Sequence, residues 1–208
     1  QSMQDCIQAI QGQIGEVDEM PSVAFAVWLG ENNNGPVSVA GNLTFSQDII
    51  DSAMGRNVYE STTGWPAVNL ESIITEDPDY ILVSLMWVEV STEQVLQELQ
   101  NHTLWSSTSA VQNGRVYVFT GQADNVFCRP SPRMVDAIEL MAKILHSEVF
   151  NVTMPNTMGN DYQEWLSEPE ESGASMDAQG VNLLIAPVYP EAFLIGQLNS
   201  LGGSTGRR

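Results

Sequence analysis

The stretch Tyr80–Trp87, with the sequence YILVSLMW, decides the fold because it is the strongest strand signal in the chain. It is a short, continuous apolar run that follows Pro78, which is the pattern of a strand buried on both faces. A helix is predicted directly after it, because Ser91 and Gln94 form a capping box and the helical pattern runs to about Gln100. A strand followed by a helix is the repeating unit of a parallel sheet covered by helices.

The same alternation continues on both sides of this stretch. Apolar periodicity, capping residues and Pro or Gly breaks predict three further strands, over 23–29, 37–40 and 115–119. The same signals predict further helices over 3–15, 46–54, 68–76 and 131–146. The expected fold class is therefore α/β, with a mostly parallel sheet flanked by helices in three layers, as in a Rossmann-like lobe.

The domain organisation follows from where this alternation weakens. Residues 1–18 carry the first helix, and residues 19–150 carry the α/β lobe. Residues 151–208 form a C-terminal extension. Within the extension we predict a short helix, an acidic linker rich in Ser and Gly, a strand and a final helix, over 161–166, 167–180, 181–188 and 190–201.

The charge balance excludes several classes of partner. The 208 residues include 7 basic and 26 acidic side chains, for a net charge of −19. Such a surface repels nucleic acid and anionic membranes. No run of 18 or more apolar residues exists, and the first residues lack the pattern of a signal peptide. The chain also lacks an initiator Met, so we expect it to be a piece of a longer protein, and its acidic, lysine-poor composition favours an extracellular or high-salt setting.

Signatures of catalysis are missing from the sequence. There is no nucleophile elbow, no zinc-protease motif and no phosphate-binding loop. Lys143 is the only lysine and is expected to be a solvated helix residue, and acidic pairs such as Asp77 and Asp79 are interpreted in the same way. No metal site or cofactor is predicted, since the only histidines and cysteines are too scattered in sequence to indicate a shared ligand set; these are His102, His146, Cys6 and Cys128. The two cysteines allow one disulfide bridge, and the sequence leaves that pairing open.

Aromatic side chains mark the most informative positions. Trp28, Trp87 and Phe127 are predicted at the carboxyl ends of strands or in the loops that follow, with Met86 and Arg129 beside them. Ligands of open parallel sheets bind at that edge. An aromatic rim with one guanidinium suits a large, flat or anionic ligand. The alternative, that the two tryptophans are ordinary core residues, stays open at this point.

Five segments, taken in order, resemble one known family. They are Ala40–Phe45 with the following Gly55–Val58, then Gly64–Glu71, Glu76–Ile81, Ala110–Tyr117, and Arg129–Arg133 at the start of a long helix. The pattern is similar to that of the periplasmic substrate-binding proteins for iron siderophores, haem and vitamin B12, which feed ABC importers. The match covers about residues 1–150 and only the C-terminal lobe of that family.

The resemblance implies a fold and a site. It implies one of two α/β lobes joined by a long helix, of which 1–18 would be the end, with the N-terminal lobe missing from this chain. Ligand would be held in the cleft between the lobes by Trp28, Asn42, Thr44, Phe45, Met86, Trp87, Phe127 and Arg129. Glu71 matches the acidic residue that docks on arginines of the membrane permease; the alternative for Glu71 is an ordinary exposed helix glutamate.

The resemblance also implies the function. The chain would be the solute-binding component of an ABC importer, binding an iron chelate, haem or a corrinoid and delivering it to the transmembrane subunits. It would catalyse no reaction and would lie outside the cytoplasm, tethered to the membrane in the full-length protein. Two alternatives are a non-transport extracellular sensing or interaction domain and, less favoured, an enzyme on the same architecture, since one fold hosts many functions.

Overall fold

The computed structural model describes residues 2–30, 35–85 and 91–167, which fall within one compact unit, Gln1–Glu168. The strands are β1 Ser22–Trp28, β2 Val37–Val39, β3 Arg56–Asn57, β4 Ala67–Val68, β5 Tyr80–Ser84, β6 Val116–Phe119 and β7 Thr157–Met158. The helices are α1 Met3–Ile14, α2 Phe45–Ser52, α3 Leu70–Glu76, α4 Thr92–Asn101, α5 Ser109–Gln112, α6 Gly121–Cys128, α7 Met134–Leu145 and α8 Ser147–Phe150. Two 3₁₀ turns cover Trp105–Ser107 and Tyr162–Trp165.

The described strands form one mixed sheet in the order β4-β2-β1-β5-β6-β7, with β3 also paired to β1. β3, β5, β6 and β7 run parallel to their neighbours, whereas β2 is antiparallel to both β1 and β4. The predicted α/β class with a mostly parallel sheet is confirmed. The carboxyl ends of β1, β5 and β6 therefore meet at one edge of the sheet, the carboxyl edge, and their amino ends meet at the opposite amino edge.

Helices cover both faces of this sheet, giving three layers. On one face, Phe25, Leu82 and Phe119 pack against α1, α2, α6 and α7. On the other face, Val83 and Val118 pack against α3, α4 and α5. Successive strand residues point to opposite faces, so the central strands are buried on both sides and read as continuous apolar runs. None of the helices in the described ranges is long and apolar enough to cross a membrane.

Several element boundaries differ from the sequence prediction. The helix predicted over 68–76 begins only at Leu70, because Asn69 caps it and Ala67–Val68 join the sheet as β4. Helix α6 and strand β7 were not predicted at all. The strand predicted as far as Trp87 is observed to Ser84, and residues 86–90 lie outside the described residues. The strand and helix predicted over 181–188 and 190–201 also lie outside them.

The segment after residue 150 packs against the lobe as far as it is described. Its strand β7 pairs with β6, and residues 151–167 belong to the compact unit Gln1–Glu168. Lys143 on α7 donates to the Trp165 carbonyl at 2.7 Å and pairs with the Glu139 carboxylate at 2.7 Å. It is only 8% exposed, so the prediction of a solvated lysine was wrong. Its charge is tolerated because it is paired and hydrogen-bonded.

Candidate functional site

The carboxyl edge presents an exposed indole. Trp28 is the last residue of β1 and is 49% exposed, so it is not a core residue. Arg129 directly follows α6 and is also exposed. The end of α6 lies against the end of β5, since Cys128 contacts Ser84. Met86 and Trp87, which were predicted beside these residues, lie outside the described residues.

Phe127 does not lie in a loop at this edge, and that part of the prediction was wrong. It is on α6, fully buried, with its ring stacked on Phe119 at 4.2 Å between centroids. Its ring also lies 6.1 Å from that of Phe25. The sequence does carry a signal for this helix, because Ala123, Val126 and Phe127 have the spacing of one apolar helix face. A solvent-borne ligand has no access to the Phe127 ring in this structure.

A buried polar cluster joins the end of β5 to helix α6 at the carboxyl edge. Ser84, the last residue of β5, donates a hydrogen bond to the Asp124 carboxylate and contacts the Cys128 sulfur. Burial raises the pKa of Asp124, although hydrogen bonds from Ser84 and Cys128 and the charge of Arg129 oppose the rise. Burial raises the pKa of Cys128 to about 12, which leaves an unreactive thiol. Sequence reasoning missed this cluster because Ser84 is separated from Asp124 by 40 residues and from Cys128 by 44 residues in the sequence.

The loop after β2 holds the other predicted residues. Thr44 is buried, and its hydroxyl accepts from the Gln47 amide and donates to the Gly41 carbonyl. Thr44 is therefore the N-cap of α2, a structural role that occupies its hydroxyl. Asn42 is exposed, and its side-chain oxygen accepts from the Leu43 amide at 2.7 Å.

An exposed apolar group adjoins these residues. The Phe45 ring contacts that of Trp65 at 5.6 Å between centroids, and Trp65 is 41% exposed. Leu43 is 82% exposed with a positive φ of 62°, a conformation that is uncommon for a residue with a side chain. Neither Leu43 nor Trp65 was singled out from the sequence as a contact residue, although both lie within the motifs that carry the resemblance.

The structure thus divides the predicted ligand residues into two groups. Trp28 and Arg129 belong to the carboxyl edge. The loop with Asn42 leads to Phe45 at the start of α2. This loop begins after Ala40, whose amide donates to the Phe25 carbonyl in the middle of β1. Because β2 runs antiparallel to β1, this loop leaves in the direction opposite to Trp28.

The acidic residues singled out from the sequence have different surroundings. Glu71 is exposed in the first turn of α3, where the helix dipole interacts favourably with its carboxylate. Asp77 accepts hydrogen bonds from the amide and hydroxyl of Ser109. Asp79 accepts from the amide and hydroxyl of Ser22. The last two carboxylates therefore fasten loops to one another and are not simply solvated, as had been predicted.

The residues considered for a metal site or a disulfide form neither in the part of the chain that the structure describes. Cys6 and Cys128 are both free thiols. His102 accepts the Leu104 amide hydrogen at Nδ1, and His146 Nε2 is hydrogen-bonded to the Ala53 carbonyl. Over the described ranges, no group of three or more His, Cys, Asp or Glu side chains is arranged to hold a metal ion.

Known proteins that this chain resembles include periplasmic binding proteins. A curated relative, the uncharacterized ABC transporter substrate-binding lipoprotein YvrC of Bacillus subtilis strain 168, is 24% identical over 115 residues, which is 55% of this chain and 33% of that protein. A possible iron-binding periplasmic solute-binding protein of Staphylococcus epidermidis ATCC 12228 matches with a TM-score of 0.58 and 21% identity. That match covers 69% of this chain and 52% of the other.

A third relative is the periplasmic heme-binding protein RhuT of Roseiflexus sp. RS-1 in its apo form. It matches with a TM-score of 0.57 and 20% identity, over 71% of this chain and 54% of the other. At these identities the solved structures show a shared fold, and the chain spans about half of their length. The periplasmic binding protein family model matches residues 2–123, which is more than half of the 208 residues. The chain therefore belongs to the periplasmic binding protein family.

Proposed function

We propose that the chain is the C-terminal solute-binding lobe of an ABC importer's extracytoplasmic binding protein, and that its ligand is an iron chelate, haem or a corrinoid. A second lobe of the same protein completes the cleft, in keeping with relatives about twice the length of this match. The lobe binds and releases its solute and catalyses no reaction.

The observation that carries the proposal is the half-exposed Trp28 at the carboxyl end of β1. An indole of this size left in water at the ligand-binding edge of a parallel sheet is available for stacking on a flat ligand. Arg129 lies at the same edge, where its guanidinium suits a carboxylate of haem or an anionic siderophore. Met86 and Trp87 follow β5 in sequence and are proposed to complete this apolar rim.

The residues beneath this rim are packed and hydrogen-bonded to one another, which favours a preformed binding surface. The Ser84–Asp124–Cys128 cluster ties α6 to the end of β5, and the stacked pair of Phe119 and Phe127 fills the space below. A side chain held on such a scaffold loses little conformational freedom on binding. Asn42, in the loop after β2, and Phe45, the first residue of α2, are proposed as contacts at a second part of the cleft.

Delivery to the membrane is proposed to use Glu71. Its carboxylate is exposed and makes no ion pair with a described residue, so it is available for an arginine of the permease. A contact of this kind mainly sets orientation and association rate. The name of the Bacillus relative, a lipoprotein, supports an extracytoplasmic, membrane-tethered location for the full-length protein.

The proposal is tested by titrating the chain with haem, a corrinoid and several ferric siderophores while tryptophan fluorescence is recorded and corrected for absorbance. Saturable quenching by one of them is expected. The variant Trp28→Phe should weaken binding, whereas Trp165→Phe, which also removes one indole, should not. Equal affinity in both variants would place the ligand elsewhere.

Two other functions are separated by a second experiment. A sensing or interaction domain would bind the solute without engaging a permease. Glu71→Gln would then leave both solute binding and binding to the permease subunits unchanged. An enzyme would convert the bound compound, which mass spectrometry of the titration mixture detects. The relatives named above are described as substrate-, solute- or heme-binding proteins, which favours transport over catalysis.

A further inference from the structure

A cavity of about 430 Å³ opens at the amino edge of the sheet, away from the carboxyl edge. Met20 and Pro21 come just before β1, Asp79 just before β5 and Arg115 just before β6, and α8 closes the remaining side. The volume is within the range of small-molecule sites. Asp79 and Arg115 lie in two of the segments that carry the family resemblance, but the proposed solute site uses none of the residues that line this cavity.

Part of the cavity wall is apolar and exposed to solvent. Met20 is 46% exposed and Val149 is 49% exposed, and Pro21 and Leu145 lie beside them. Exposed apolar side chains are ordinary when single. Here two of them line the same concave surface, which offers an apolar stem a place to pack.

The charges around the cavity leave an excess of carboxylates. Arg115 lies 5.2 Å from the centre of the Tyr80 ring. Partial burial raises the pKa of Asp79, but hydrogen bonds from Ser22 and the charges of Arg115 and Arg56 outweigh this and lower it, so Asp79 is ionised and offsets Arg115. Glu19 and Glu148 also line the cavity, and neither forms an ion pair within the described ranges.

A buried histidine adds a hydrogen-bond acceptor to the same wall. His146 is 8% exposed, lines the cavity, and is bonded through Nε2 to the Ala53 carbonyl at 3.0 Å. A carbonyl only accepts, so Nε2 carries the hydrogen, and Nδ1 is the acceptor in the tautomer that this bond selects. No described residue donates to Nδ1. Two unpaired carboxylates and one unpaired acceptor together select a ligand rich in N–H donors.

We propose that this amino-edge cavity binds an organic cation, an alkylammonium or guanidinium group on a short apolar stem. Glu19 and Glu148 supply the counter-charges, His146 Nδ1 accepts a hydrogen bond, and Met20 and Val149 pack on the stem. The same chemistry is carried by a free aliphatic amine and by a Lys or Arg side chain of another protein, and the experiment distinguishes these sources.

The test records amide shifts of the ¹⁵N-labelled chain during titration with n-butylguanidinium, with its neutral analogue n-butylurea, and with a short acetylated peptide containing one arginine. The cation should shift the amides of 19–22 and 147–149 and bind at least about tenfold more tightly than the urea. Glu19→Gln and Glu148→Gln should each weaken cation binding by about tenfold, and high salt should weaken it further. Glu164→Gln, an exposed glutamate outside the cavity, is the matched control and should change nothing.

The outcomes separate support from refutation. A peptide that binds at least tenfold more tightly than the free cation would assign the cavity to a basic side chain of a protein partner, and comparable binding would assign it to a small amine. Equal binding of the urea and the cation, no shifts at these amides up to about 10 mM ligand, or unchanged affinity in both Gln variants would overturn the proposal.

Discussion

Replacing Phe127 by alanine separates a core role from a ligand-contact role at one position. The ring is fully buried and stacked on Phe119 at 4.2 Å with an interplanar angle of 14°. Removing a buried phenylalanine costs about 3–5 kcal/mol through lost transfer energy and the cavity left behind. Part of that loss is the aromatic pair, which contributes about 0.5–1.5 kcal/mol. For a domain of this size, Tm should fall by about 10 °C.

The assay is urea unfolding of the chain, followed by circular dichroism so that ligand and fluorescence changes do not interfere. Phe127→Leu keeps most of the volume and should cost less than half as much as Phe127→Ala. Trp28→Ala is the exposed aromatic control and is expected to stay within about 1 kcal/mol of the parent. If Phe127→Ala lost less than about 1 kcal/mol while solute binding collapsed, the core assignment of Phe127 would be wrong.

Three further predictions concern the groups around the site. Because burial raises the pKa of Cys128 to about 12, iodoacetamide at about pH 8 should modify Cys6 and leave Cys128 intact until the chain unfolds; rapid labelling of both would refute this. Burial raises the pKa of Asp124, so the native state binds the proton more tightly than the unfolded state and stability falls as pH rises through the raised pKa. Asp124→Asn should therefore gain stability relative to the parent as pH rises above the unfolded-state value of about 4, and a difference between the urea curves that stays constant with pH would contradict the direction of the shift. Thr44→Ala should lower the free energy of unfolding by about 1 kcal/mol through loss of the α2 cap, with solute affinity unchanged; reduced affinity at unchanged stability would restore Thr44 as a contact.

The layered architecture was predictable because its signals are local. The run Tyr80–Ser84 is apolar at every position except its last, and Asn69 is a capping residue directly before a helix. Such patterns need no knowledge of the rest of the chain. Helix α6 was missed for two reasons. Its apolar face is short, and the helix begins at a glycine, Gly121, a residue type that usually marks a turn and that has a φ of 57° here.

The surroundings of single side chains were harder to predict because they depend on distant segments. Lys143 is buried only because Trp165 and Ser167 return to cover α7. Trp28 was equally compatible with core and surface until the end of β1 was placed in the sheet. Asp124 meets Ser84 across 40 residues of sequence, and no periodicity within either element indicates that contact.

The central claim is that solute binds at the carboxyl edge, and the iron of a bound chelate offers the most direct test. A ferric ion broadens the amide signals of nearby residues, so spectra of the ¹⁵N-labelled chain with a ferric chelate and with its gallium counterpart map the ligand. The account predicts selective loss of the signals of Trp28, Leu85 and Arg129. Loss confined to the amino edge, at Met20 and Val149, or no loss at Trp28 with a chelate that binds saturably, would contradict it.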